Sequence, residues 1–308
     1  MIVLSRHLEY IIPDSYDGKK VVHFLRGEKK FSCRLVSVLK QLPDGIQLNG
    51  GHIRTIDRIK AGDILSVNIP DDKNEIEPTD FPLDIVYEDD DIMVVNKPAG
   101  LAVHPTHNHQ GDTLANAAAG YLKNKGKNVS FRAVGRLDKQ TSGLVLLAMN
   151  KYAAAFLPDK YEKEYLAVAG GYFDSPGTIN KRIYRPDPMK SLRAASDGDI
   201  GDEAVTHYTP VSSDGKHTLV RVTLETGRTH QIRVHFSSIG APLAGDEMYS
   251  STDFSINRAA LHCEKLTLIH PVTNEKMTFT APMPEDMLSL INNPDKPFIS
   301  ISTDSKRL

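Results

Sequence analysis

The chain has 308 residues and a formal net charge of −2. That length can bury a sizeable core and form two domains, and the apolar and charged fractions are those of a globular protein. No stretch approaches the apolar length of a membrane helix, the N-terminus lacks the basic start and apolar block of a signal peptide, and the charge excludes a polycation. The expectation is a cytoplasmic monomer that binds nucleic acid, if at all, through local basic surfaces.

Residues 1 to 70 carry 11 Lys and Arg against 7 acids. In "GKKVVHFLRGEKKFSCRLVSVLK" the apolar residues fall at helical spacing, and Ser32 suits the N-cap of the second piece. In "GIQLNGGHIR" the pair Asn49-Gly50 follows the alternating Ile46 and Leu48, a hairpin signal, and "AGDILSVNI" is a turn feeding a strand. The expected order is helix, helix, small β unit. Residues 71 to 91 then hold 10 acids against Lys73, and within them "DDKNEIEPTDFP", with prolines at 78 and 82, reads as an exposed linker. The expected partition is therefore 1–78, 79–292 and a polar, Pro-marked tail at 293–308.

"LDIVYEDDDIMVVNKPAGLAVHP" contains two strands about an acidic turn, and "TLANAAAGYLKN" is helical. "GLVLLAMN", "KEYLAVAGG", "AVTHYTPV" and "HTLVRVTLETG" are strands. "RTHQIRVHFSSIGAPLAG" fits both periods, but Gly240 followed by Pro242 is a helix stop, which favours a helix. Many strands with few helices predict an α+β domain.

Nucleotide-binding loops are missing. His104, His107 and His109 lie close together, but no carboxylate or cysteine set completes a metal site, and Cys33 and Cys263 make no cluster or disulfide framework. Neither metal nor cofactor is expected. What remains is "AVGRLDKQTSGLVLLAM", in which Asp138 stands beside a buried strand. An attacking carboxylate must be ionised, which burial opposes and a neighbouring cation favours. Local chemistry leaves two readings open. Asp138 caps a turn and pairs with Lys139, or it reacts with the support of Arg136, Arg228 or Arg233.

"VGRLDKQTSGLVLLAMN" resembles the central motif of RNA pseudouridine synthases. "VVNKPAGLAVHP", "KEYLAVAGG", "GRTHQIRVHFSSIGAPLAGDEMY" and "RAALHCEKLTLIHPVTNEKMTFTAPMP" resemble, in order, further segments of the RluA branch. The resemblance covers residues 83 to about 287, and "RTHQIRVH" is what favours the branch. Gly135 stands where many members have His, Ser250 where Gly is usual, and Asp202 and Glu203 where small or basic residues are usual. "SCRLVSVLK", "GIQLNGGHIR" and "IKAGDILSV" resemble the alpha-L RNA-binding domain.

The resemblance implies an α+β catalytic domain with a mixed, mostly antiparallel sheet flanked by helices, and isomerisation of uridine to pseudouridine within RNA without a cofactor. It makes Asp138 the essential catalytic residue, Tyr165 the ring against the target base, and Arg233 the ion-pair partner of Asp138. Arg34, Lys40, Arg54 and Arg58 become RNA contacts of the N-terminal domain. A target uridine must be extruded from its stack, and Arg136 is suited to fill the gap. Large-subunit ribosomal RNA is the favoured substrate and transfer RNA the second candidate. Two other classes remain, a non-catalytic RNA-binding protein and a carboxylate-based nucleosidase, which would need a second acid across the bond.

Overall fold

The structure is a computed structural model and describes residues 4–70, 76–105, 111–127, 131–249, 251–252, 255–292 and 298–301. His107, His109 and Ser250 lie outside the described residues.

The chain opens with β1 (Leu4–Ile11), which the sequence reading did not anticipate. A helical turn α1 (Val21–His23) continues into a π-helical turn at Phe24–Glu28, and α2 (Cys33–Leu39) follows. Ser32 caps α2, its side chain accepting from the Leu35 N–H at 3.1 Å. Strands β2 (Ile46–Leu48) and β3 (Gly51–His52) form the hairpin about Asn49 and Gly50, both at positive φ as a tight two-residue turn requires. With β4 (Ile64–Pro70) they complete a four-stranded sheet, ordered β1-β4-β2-β3. Phe24, Leu25, Leu35, Leu39, Leu65 and Val67 are buried between this sheet and the helices.

A second sheet of eleven strands forms the rest of the fold. Its elements, in chain order, are β5 (Asp84–Glu88), β6 (Ile92–Lys97), α3 (Leu114–Asn124), β7 (Arg132–Val134), β8 (Ser142–Ala148), α4 (Lys151–Phe156), β9 (Tyr161–Gly170) and β10 (Gly177–Asn180). A separate two-stranded ribbon, β11 (Arg182–Tyr184) and β12 (Ala194–Ser196), precedes β13 (Val205–Ser213), β14 (His217–Leu224) and α5 (Gln231–Ser238). The chain ends with β15 (Leu261–Ile269), β16 (Lys276–Thr280), α6 (Glu285–Ile291) and β17 (Ile299–Ser300). The main strand order is β10-β13-β14-β9-β15-β8-β6-β5. Among the described strands of this sheet every strand-to-strand pairing is antiparallel except β15 with β8, so the sheet is mixed and the fold is α+β. Of the expected tail, 293–308, the described residues 298–301 join the sheet, with β17 pairing with β13 and Ile301 donating to the Val211 carbonyl. Phe298 also packs on an apolar cluster.

The middle of this sheet positions the loop that carries Asp138. Every residue of β8 is buried, as a strand covered on both faces should be. One edge of β8 pairs with β6. The other is shared, with β7 along Leu146–Ala148 and β15 at Ser142 and Gly143. Residues 135–141 therefore leave the sheet where β7 stops and return where β15 takes over. Gly143 permits that close approach, since a Cβ there would overlap the Cys263 backbone.

The two sheets are joined across α4. Tyr152 stacks on Phe31 with ring centroids 4.6 Å apart, and its hydroxyl reaches the Lys29 carbonyl at 2.9 Å. Arg6 of β1 donates to both oxygens of the buried Asp91, at 3.0 and 2.8 Å. No helix among the described residues is long and apolar enough to cross a membrane.

Candidate active site

Val134 ends β7, and Gly135 turns the chain with φ +75. A Cβ at that position would collide with the Tyr161 hydroxyl and come within 3.1 Å of the ring carbon Cζ. Both the left-handed backbone and the tyrosine thus demand glycine. The loop exposes Arg136, buries Leu137 and leaves Asp138 partly accessible.

Helix α5 and its N-cap supply the nitrogen groups that face Asp138. The N-cap, His230, has φ 59, a left-handed conformation uncommon for a residue with a side chain. His230 Nε2 lies 3.9 Å and Arg233 Nη1 3.6 Å from the same oxygen of Asp138, Oδ2. Of the three arginines named as partners, Arg233 is the one in ion-pair range. Its stronger bonds go elsewhere. Nε and Nη2 each donate to Asp246 at 2.7 Å, and the guanidinium sits 5.0 Å over the Tyr249 ring. Both Arg233 and Asp246 are buried. Burial opposes the guanidinium's charge, but Asp246, and then Asp138, outweigh it and raise its pKa.

A second anchor comes from β6. Lys97 is fully buried, and Nζ donates to the carbonyls of Pro98 at 2.9 Å, Leu101 at 2.8 Å and Lys139 at 3.3 Å. Gly100 N–H also donates to the Lys139 carbonyl at 2.8 Å. The KPAGL turn is therefore knotted to the Asp138 loop through one ammonium. Burial pushes the Lys97 pKa down to about 7, against the pull of Asp138.

Asp138 opens into a cavity of about 600 Å³ that also presents Arg136, Tyr161, Lys163, Tyr165 and Arg228. That size suits a nucleoside. Tyr165 on β9 is buried and forms part of the wall. Asp138, Arg136, Tyr165 and Arg233 are thus gathered in one place. His230, Asp246, Tyr249 and Lys163 were not singled out from the sequence, although "RTHQ", "GDEMY" and "KEY" contain them. His104 is exposed in the turn after Val103.

The basic residues of the N-terminal unit are dispersed. Arg54 pairs with Asp57 at 2.8 Å, Arg58 donates to the Gly18 carbonyl, and Lys40 is exposed at the end of α2. Arg34 faces a different neighbour. With Ser32, Leu35 and Val38 it lines a groove of about 520 Å³ whose opposite wall is Arg132, Lys151 and Ala154 of the larger unit.

The family model described as RNA pseudouridylate synthase matches residues 91–238, the span holding Asp138, Tyr165 and Arg233. The chain is 36% identical over 297 residues to "Uncharacterized RNA pseudouridine synthase YhcT" of Bacillus subtilis, covering 93% of this chain and 97% of that protein. It is 38% identical over 256 residues to "Ribosomal large subunit pseudouridine synthase D" of Salmonella typhimurium, covering 77% of this chain and 78% of that protein. Among solved structures, human RNA pseudouridylate synthase domain containing 1 aligns with a TM-score of 0.54 at 27% identity, over 66% of this chain and 84% of that one.

Proposed function

The chain belongs to the RluA family of RNA pseudouridine synthases, and we propose that within this activity Asp138 is the catalytic residue and large-subunit ribosomal RNA the substrate. The observation that carries the catalytic assignment is the placement of one partly accessible carboxylate against Arg233 and His230, at the mouth of a nucleoside-sized cavity.

The enzyme isomerises uridine in RNA, detaching uracil from its glycosidic nitrogen and rejoining it through carbon 5. Asp138 acts on the extruded nucleotide. Tyr165 packs against the uracil, and an aromatic face suits that contact. Arg233 and His230 approach Oδ2, which leaves Oδ1 to the nucleotide. Arg136, exposed at the cavity mouth, enters the space the uridine leaves, where a planar guanidinium can stack on the neighbouring bases. A nucleosidase would need a second carboxylate across the glycosidic bond. The cavity also presents Asp159, Glu162 and Glu225, so the choice of isomerisation rests on the family and not on a lack of acids.

The ribosomal substrate is favoured by the relatives named for the large subunit. The N-terminal unit, taken as residues 1–78, serves as an RNA anchor through Arg34 and Lys40. Arg54 and Arg58 contribute less, being held by Asp57 and Gly18.

Pseudouridine maps of ribosomal and transfer RNA from cells with and without the gene, complemented by wild type or Asp138→Asn, test both parts. The expected result is a ribosomal site lost on deletion and restored by wild type alone. Loss confined to transfer RNA would overturn the substrate, and restoration by Asp138→Asn would overturn the residue.

A further inference from the structure

Tyr249 links two parts of the site. Its hydroxyl oxygen lies 3.0 Å from the backbone N–H of Arg193 and 2.8 Å from Nδ1 of His230. The N–H can only donate, so the hydroxyl accepts there and has its own proton to give to Nδ1. A neutral imidazole accepting on Nδ1 carries its proton on Nε2, the nitrogen facing Asp138 at 3.9 Å. At 3.9 Å the two atoms are not yet hydrogen-bonded; catalytic contacts that are long in an unliganded site shorten in the substrate complex.

Three further features fit this arrangement. The ring is held edge-on to Tyr249, with centroids 5.7 Å apart and an interplanar angle of 84°. The backbone at His230 sits in the left-handed region, a costly conformation that persists where the surroundings enforce it. Burial keeps the imidazole's pKa below its ordinary value; Asp138 and Asp246 oppose this, and Arg233 and Arg193 reinforce it.

We infer that His230 is a positioning residue for the reaction: fixed as the Nε2–H tautomer by Tyr249, it donates to Oδ2 of Asp138 and, with Arg233, turns Oδ1 toward the nucleotide. The inference rests on Asp138 being the reacting carboxylate. Arg233 supplies charge from one side of Oδ2, and His230 supplies a directional neutral donor from the other.

The test uses the full chain, with two variants and one spectrum. His230→Gly suits the left-handed backbone and removes only the ring. It should keep RNA affinity and lose about ten- to hundredfold in single-turnover rate, the range spanned by a hydrogen bond to a charged group. Tyr249→Phe keeps the ring over Arg233 but frees Nδ1. The neutral imidazole can then present the bare Nε2 lone pair to the carboxylate. This variant should work best at low pH, where both ring nitrogens carry protons, and lose rate as pH rises through the imidazole pKa, a limb that wild type lacks. Long-range proton–nitrogen NMR of wild type should show His230 as the Nε2–H tautomer.

A wild-type rate in His230→Gly, a rate loss matched by lost RNA affinity, a Tyr249→Phe profile parallel to wild type, or an Nδ1–H tautomer would each overturn the inference. Because the tautomer is read without turnover, inactivity of wild type on the chosen RNA would count against the functional reading and leave the spectrum to decide this one.

Discussion

Arg233 is held more closely by Asp246 than by Asp138, through two hydrogen bonds of 2.7 Å against an approach of 3.6 Å. Two of its three nitrogens are thereby committed in a planar fork, and the third points at Asp138. The orientation of the cation is set by a buried acid that never meets the nucleotide. The guanidinium is aimed before RNA arrives, so little reorganisation is left for the reaction itself.

Asp246→Asn is therefore expected to harm stability and activity together. The side chain keeps its shape, but the buried guanidinium loses its compensating charge, and breaking a buried pair from one side costs about 3–5 kcal/mol. Urea unfolding should show a loss of that order, and single-turnover conversion should slow. A variant as stable as wild type would mean that Arg233 is paired mainly with Asp138.

How far such relations can be read from sequence depends on the range of the forces behind them. The strand at β8 and the helix at α5 were legible because a solid aliphatic run and a Gly240–Pro242 stop are local signals. Strand β1 was not. Its buried Leu8 is surrounded in sequence by Arg6, His7 and Glu9, whose partners Asp91, Asn68 and Ser66 lie far along the chain. Asp138 and Arg233 were named through family resemblance; spacing alone left the arginine unassigned. Asp246 was illegible for a physical reason, since an acid in "GDEMY" looks like any solvated turn until Arg233 is folded over it.

Gly135 and Tyr161 share one volume. Gly135→His should destabilise the loop by about 1–2 kcal/mol from the left-handed backbone alone, with the collision against Tyr161 added. Tyr161→Ala in the same chain should relieve the collision and leave the backbone strain. A double-mutant cycle in thermal unfolding should therefore be non-additive, with the double variant more stable than the sum of the singles. Strict additivity would show that the two residues do not compete for this space.

Lys97 should make stability pH-dependent. Its folded pKa is lowered to about 7 from the ordinary lysine value of 10.5. Between these values the unfolded chain binds the proton and the folded chain releases it. Stability from this group therefore rises with pH across the window, by up to about 1.4 kcal/mol per unit, and is lost as pH falls toward 7. Lys97→Met cannot titrate and also gives up three hydrogen bonds to carbonyls. It should unfold more readily than wild type, with the gap widening from neutral to alkaline pH. A constant gap would mean that Lys97 stays charged in the fold.

The groove between Arg34 of α2 and Arg132 and Lys151 of the larger unit bears on how RNA reaches the cavity. Three cations line it, and no acid is among the lining residues. Arg132 belongs to β7, whose far end feeds directly into the Asp138 loop. A strand leaving the cavity along β7 would meet these side chains in turn, and each phosphate neutralised releases counterions. Deleting the N-terminal unit would test this poorly, because Tyr152 and Asp91 would lose Phe31 and Arg6 and be exposed. Single alanine substitutions at Arg34, Arg132 and Lys151 are cleaner. Each should weaken binding of a long target RNA and reduce the salt dependence of its affinity by about 0.9 in the log–log slope. The same variants should convert a short stem-loop that ends inside the cavity at nearly the wild-type single-turnover rate. An unchanged slope with the long RNA would remove the groove from the binding path, and an equal loss on both RNAs would place these residues at the cavity.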